Sequence, residues 1–155
     1  MKFPKKNQIV TESPASRQGS SELRFGKILR NAGISPTSQR LAVAEELLSK
    51  KVHLSAEEVA NRVRQNNHLV SRATVYNTLR RFVDSGLIRQ VFVAADRVLY
   101  DSNTEPHHHF YDPDTGKLSD IESTNVQIEG LPELPEGRNL DTVELIVRLK
   151  PRSND

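Results

Sequence analysis

The sequence predicts an α+β chain in two lobes, helices first and strands after. Three observations carry that prediction. Hydrophobic residues recur at helical spacing as far as Gly86 and alternate thereafter. The charge changes sign along the chain: residues 1–101 hold 17 Lys and Arg against 9 Asp and Glu, whereas residues 102–155 hold 5 against 11. Finally, 155 residues with 35% apolar content leave room for one compact domain or two small lobes, each with a modest core.

Residues 1–21 are mostly Ser, Gln, Asn, Pro and Lys, too poor in large apolar groups to offset the entropy of ordering, and are expected to form a disordered tail. Over 22–31, ELRFGKILRN places Leu23, Ile28 and Leu29 among charges, and Gly33 follows as a stop signal. Ser35 and Thr37 offer N-caps around Pro36, with Leu41, Ala44, Leu47 and Leu48 at helical spacing up to Lys51. Ser55 followed by Glu58 has the capping-box spacing, and Ala56, Val59, Ala60 and Val63 line one face of a third helix. Ser71 opens a fourth, with Val75, Leu79, Phe82 and Val83 as its apolar stripe and Asp84-Ser85-Gly86 at its end.

LIRQVFV and RVLY, rich in branched and aromatic residues, flank the polar tip Ala94-Ala95-Asp96 and read as a β-hairpin. Short helices followed directly by a hairpin predict a winged helix-turn-helix over 22–101. In 102–155, HHHFYDPDTGKLSDIE reads as strand, tight turn at 112–116 and strand. Val143, Leu145, Val147 and Leu149 then alternate with polar neighbours and Ile146, which predicts a third strand and a three-stranded antiparallel sheet. So small a sheet has little core of its own, so this lobe is expected to dimerise with a second copy. The chain has no Cys, which excludes disulfides, thiolate nucleophiles and Cys-ligated metals. No apolar run approaches a membrane span and no signal peptide is evident, so a soluble cytoplasmic protein is expected.

Two clusters carry chemistry. On the fourth helix Arg72, Tyr76 and Arg80 are spaced i, i+4, i+8 away from the apolar stripe, with Asn77 and Arg81 beside them. Arg can fork onto guanine or phosphate, Asn can pair with adenine, and Tyr can pack on thymine methyls, so the face suits the major groove of double-stranded DNA. The second cluster is His107, His108 and His109. In an extended segment the outer two point to one side and His108 to the other. His53 before the third helix, Asp101 at the end of the hairpin and Asp120 after the turn are further ligand types, and imidazoles with carboxylates suit Zn, Fe(II) or Mn(II). A His/Asp metallohydrolase using the trio with Asp112 and Asp114 is the enzyme alternative, but no HExxH, nucleophile elbow or P-loop supports it. A metal-sequestering scaffold leaves the Tyr76 and Arg72 face without a role.

SRATVYNTLRRFVDSGLI resembles the recognition helix of the Fur family of metal-responsive regulators, and PTSQRLAVAEELL and HLSAEEV are similar to its preceding helices. The resemblance implies a dimeric DNA-binding regulator, not an enzyme. Tyr76 would touch bases, Arg40 and Arg72 would hold phosphates, and Thr74 would support the helix start. Asn77 stands where many members have Arg, and Ser35 where many have Lys, so a different operator is implied. The family's hinge metal site maps onto His53, Asp101 (with Tyr100 beside it), His109 and Asp120. Its structural zinc, held by paired Cys, is absent. EPHHHFYDPDTGKLSDI most resembles the iron-response-regulator branch of rhizobia and their relatives. That branch implies control of iron and haem homeostasis under iron limitation, inactivation by haem bound at His107, His108 and His109, and a haem-delivering biosynthetic enzyme as partner. Phe110 or Tyr111 would pack on the porphyrin. A peroxide-responsive or divalent-metal-dependent repressor is the alternative within the family.

Overall fold

The computed structural model describes residues 14–66 and 69–152. Four helices come first: α1 (Pro14–Asn31), α2 (Ser38–Leu48), α3 (Ala56–Asn66) and α4 (Arg72–Asp84), with the two-residue strand β1 (His53–Leu54) before α3. The hairpin follows as β2 (Arg89–Ala94) and β3 (Arg97–Asp101), then β4 (His107–Asp112), β5 (Lys117–Glu122), a 3-10 turn (Ser123–Asn125) and β6 (Ile146–Arg148).

Helix α1 begins at Pro14, eight residues before the position the apolar spacing indicates. Pro at the first helical position costs no hydrogen bond, and the polar residues after it have ordinary helix propensity. Of the tail expected over 1–21, residues 1–13 lie outside the described residues and the remainder belongs to α1. The stop at Gly33 is as expected. Its N–H donates to the Arg30 carbonyl and that of Ile34 to the Leu29 carbonyl, with Gly33 at φ +73°. Gly86 ends α4 in the same way, with Leu87 N–H on the Phe82 carbonyl. Thr37, not Ser35, caps α2 through Arg40 N–H; Ser71 caps α4 through Thr74 N–H; and Ser55 and Glu58 form the reciprocal capping box of α3.

The main core lies among the helices: Leu29, Val43, Leu47, Val59, Leu79 and Phe82 have no measurable exposure. Two three-stranded sheets stand beside it, in the orders β1-β3-β2 and β5-β4-β6. The short β1, which the sequence pattern does not announce, pairs antiparallel with β3 and sets His53 opposite Asp101. A second core joins Val91, Val93 and Leu99 of the hairpin to Tyr111 and Leu118 of the second sheet, with Ile146 against it.

The second sheet corrects the expectation of a purely antiparallel arrangement. β4 pairs antiparallel with β5 but parallel with β6. The tight turn at Asp112 commits one edge of β4 to β5. β5 brings the chain back to the start of β4, and the long stretch 123–145 then crosses to the other edge of β4, where β6 runs parallel to it. The third strand is also shorter than the alternation over 143–149 indicates. Leu145 and Leu149 remain exposed, and it is Ile146, from the opposite face, that reaches the core. Both faces of this segment carry apolar residues, so alternation alone does not decide which turns inward.

Candidate functional site

The two residue groups singled out in the sequence occupy different places in the structure. On α4 the stripe Val75, Leu79 and Phe82 is buried, which forces Arg72, Tyr76, Asn77 and Arg80 outward, where all four are exposed. Thr74 is turned toward the helix start, its hydroxyl 2.9 Å from Ser71 Oγ. Arg72 is ion-paired with Glu57 of α3. Arg40 lies at the start of α2, and its Nη1 donates to the Ser35 carbonyl at 2.6 Å. Thr37, Gln39, Arg40, Thr74, Asn77, Thr78 and Arg81 line a groove of about 180 Å³ between α2 and α4. This groove and the exposed face of α4 gather cations, hydroxyls and amides, the group types that contact a phosphate backbone and base edges.

The second group is buried between the lobes. His53 comes from β1, Asp101 from β3, His107 and His109 from β4, and Asp120 from β5 directly opposite His109. The ligand-type atoms of His53, His107, His109 and Asp120 all lie within 4.8 Å of one another. His53 Nε2 is 2.9 Å from Asp120 Oδ1, and the Nε2 atoms of His107 and His109 are 2.9 Å apart. Asp101 Oδ2 lies 3.1 Å from His107 Nε2 and 3.5 Å from His109 Nε2.

Despite these approaches, His53 Nε2, His109 Nδ1 and Asp120 Oδ1 are buried without a hydrogen bond, because the directions do not suit one. Orphaned polar atoms converging on one point are costly unless something else joins them. Nitrogen and oxygen ligands about 2.1 Å from one ion lie about 3.4 Å apart in a tetrahedron, and the spacings here bracket that value. The residues therefore fit a divalent cation, with a donor set suited to Zn, Fe(II) or Mn(II).

The electrostatics agree. Burial raises the Asp101 carboxyl, but hydrogen bonds from His109, the Asn103 N–H and Arg89 outweigh it and hold the group at about 2. Burial, reinforced by the neighbouring imidazoles, holds His53 below its ordinary value against the pull of Asp101 and Asp120, so it offers a neutral ring. Asn103 also ties the two acids together, its side-chain amide donating to Asp120 Oδ2 at 3.1 Å.

The expected ligands His53, Asp101, His109 and Asp120 thus converge, and Asp101, not Tyr100, faces the cluster. His107 joins them. Its alternation with His109 was the signal in the sequence. Arg89, Asn103 and Glu144 also belong to the site, and only the sheet register and the β6 crossover bring them there. The haem expectation finds no support in this arrangement. His107 and His109 face the cation cluster, while His108 on the other side is 7% exposed and accepts the Leu145 N–H. Tyr111 is committed to the second core. The cavity of about 380 Å³ beside His53 is lined by Lys51, Glu58, Arg62, Arg97 and Lys117 as well as Val52, Leu54, Leu99 and Leu118, a mixed wall in place of the mainly apolar slot that suits a porphyrin.

The sequence model of the Ferric uptake regulator family matches residues 31–148 of this chain. The chain belongs to the Ferric uptake regulator family. Within that family it is 34% identical over 94 residues to the peroxide-responsive repressor PerR of Staphylococcus aureus, a match covering 61% of this chain and 64% of that protein. The chain therefore spans slightly less than two thirds of that relative's length. Among solved structures, the ferric uptake regulator of Vibrio cholerae superposes with a TM-score of 0.63 at 22% identity, covering 82% of this chain and 99% of that one. The ferric uptake regulator of Pseudomonas aeruginosa with manganese gives 0.62 at 20% identity, covering 83% and 98%. These structural likenesses establish the fold. Among the described residues no helix is long and apolar enough to cross a membrane.

Proposed function

We propose that this member of the Ferric uptake regulator family is a cytoplasmic, homodimeric transcriptional regulator that binds operator DNA through α4 under control of a divalent metal. One observation carries the reading: the metal-type donors come from both lobes, His53 and Asp101 from the helical lobe's sheet and His107, His109 and Asp120 from the second sheet. A divalent ion bound by both would supply a fixed positive charge that favours one interlobe angle over others. Anything that favours one angle shifts the population competent to place two α4 helices in successive major grooves.

The chain's own residues do the rest. Arg40 and Arg72 hold phosphates, Thr74 braces the helix start, and Tyr76, Asn77 and Arg80 meet base edges. The edge of β6, with Leu145 and Leu149 exposed beside it, supports pairing with a second copy. The peroxide-responsive relative and the all-nitrogen-and-oxygen donor set favour Fe(II) with peroxide sensing as a second reading. Haem sensing, with a delivering enzyme, would require β6 to part from β4 before His108 became accessible, whereas metal binding requires no such opening.

The test is fluorescence anisotropy on a palindromic A/T-rich duplex with metal-free, Mn(II)-loaded and Fe(II)-loaded protein, before and after hydrogen peroxide, and with haem. Metal-dependent affinity that disappears in His109→Ala supports the proposal. Peroxide sensitivity confined to the Fe(II) form selects the second reading. Affinity indifferent to metal rejects both.

A further inference from the structure

Arg89 opens β2 and stands in register opposite Asp101. Its Nε donates to Asp101 Oδ2 at 2.9 Å, and its Nη2 lies against the His107 ring, 3.0 Å from Nε2 and 3.2 Å from Nδ1. His107 Nδ1 is 2.7 Å from the Glu105 carbonyl, so the ring proton sits on Nδ1 and Nε2 presents its lone pair. The guanidinium thus holds the Asp101 oxygen that an ion at the centre of the cluster would take, and places its charge against the His107 ring. An Asp101 oxygen paired with Arg89 must be released before a metal can take it. The same Nη2 has a second anion within reach, Glu144, whose Oε1 is 3.6 Å from it and 3.1 Å from His109 Nδ1.

We infer that Arg89 is a built-in counter-cation of the metal centre, which yields Asp101 to an incoming divalent ion and shifts toward Glu144. The inference rests on the metal-centre reading. Charge supports it: Asp101, Asp120 and Glu144 against Arg89 leave two negative charges, which one divalent ion cancels. Without the guanidinium, the acids would be an uncompensated, partly buried trio. The exchange sets the affinity, because the ion must displace a competitor tethered beside the site. It also reports occupancy, because the group that moves is anchored in the first residue of the hairpin.

The experiment measures Mn(II) and Zn(II) dissociation constants of the full chain by competition with a chromophoric chelator. Arg89→Gln is expected to bind at least about tenfold more tightly than wild type. Arg89→Lys, which keeps the charge, should stay within about threefold and shows that the site tolerates change. Glu144→Gln should weaken binding, and its penalty should shrink at least about threefold when combined with Arg89→Gln. Unchanged or weaker binding by Arg89→Gln overturns the inference, since Arg89 would then only brace Asp101. An equal Glu144→Gln penalty in both backgrounds overturns the handover. Should wild type and His109→Ala bind alike, the metal-centre reading itself fails.

Discussion

Arg40 and Tyr76 offer a pair of perturbations with opposite signatures on DNA. Arg40 is positioned by the Ser35 carbonyl at the mouth of the groove between α2 and α4, and its proposed partner is a phosphate. Arg40→Gln removes one such contact per protomer, hence two per dimer. At about 0.9 per phosphate on duplex DNA, the slope of log K against log salt becomes shallower by about 1.8. Between about 50 and 200 mM salt, wild type should then lose about twelvefold more affinity than the variant. The loss at fixed salt should be alike for operator and scrambled duplex, because phosphates carry no sequence. Tyr76 is 49% exposed on the outward face of α4 and is uncharged. Tyr76→Ala should leave the slope unchanged while cutting the operator-to-scrambled ratio by on the order of tenfold. Anisotropy titrations at four salt concentrations on both duplexes read all of this. An Arg40→Gln slope equal to wild type, or a slope change in Tyr76→Ala, refutes the assignment.

Three further outcomes are expected. Chelation should lower the melting temperature of metal-loaded wild type, since metal at a hundred times its Kd contributes about 2.7 kcal/mol, and should leave His109→Ala unmoved; differential scanning calorimetry with and without chelator decides. Leu79→Ala, at a position with no exposure in the main core, should cost about 2–5 kcal/mol in urea unfolding, and a cost below about 1 kcal/mol would mean the core is misplaced. Burial raises Glu58, but its hydrogen bonds from Ser55 and the charges of Arg62 and Arg97 bring the group below 4.5. Ionised Glu58 therefore stabilises the fold above that value, and the contribution is lost as pH falls through the lower folded-state value. The stability gap between wild type and Glu58→Gln, open at pH 7, should close in acid, whereas Ser55→Ala should cost about 1 kcal/mol at pH 7.

The helical lobe was legible because its signals are local. Caps at Ser55 and Ser71, stops at Gly33 and Gly86, and stripes such as Val75, Leu79 and Phe82 are written within one or two turns of the residues they govern. The start of α1 was not, because polar residues such as Ser and Gln carry no periodic mark, helical or otherwise. The metal ligands were readable by type, and the alternation of His107 with His109 placed both on one side. What could not be read was pairing at a distance. β1 is two residues long, Arg89 enters the site through its register with Asp101, and Glu144 arrives through a long crossover onto the edge of β4 that β5 leaves free.

The apolar cluster of Val91, Val93 and Leu99 with Tyr111 and Leu118 is owned jointly by the hairpin and the acidic lobe. Cutting the chain at Asp101 would expose half of it on each fragment, so the charge boundary is not a boundary of folding. Exchanging sensor halves between relatives is accordingly not a matter of joining them at the linker. A working chimaera would have to carry the inner face of the hairpin along with the histidines, and its designer should treat those five side chains as part of the receiver.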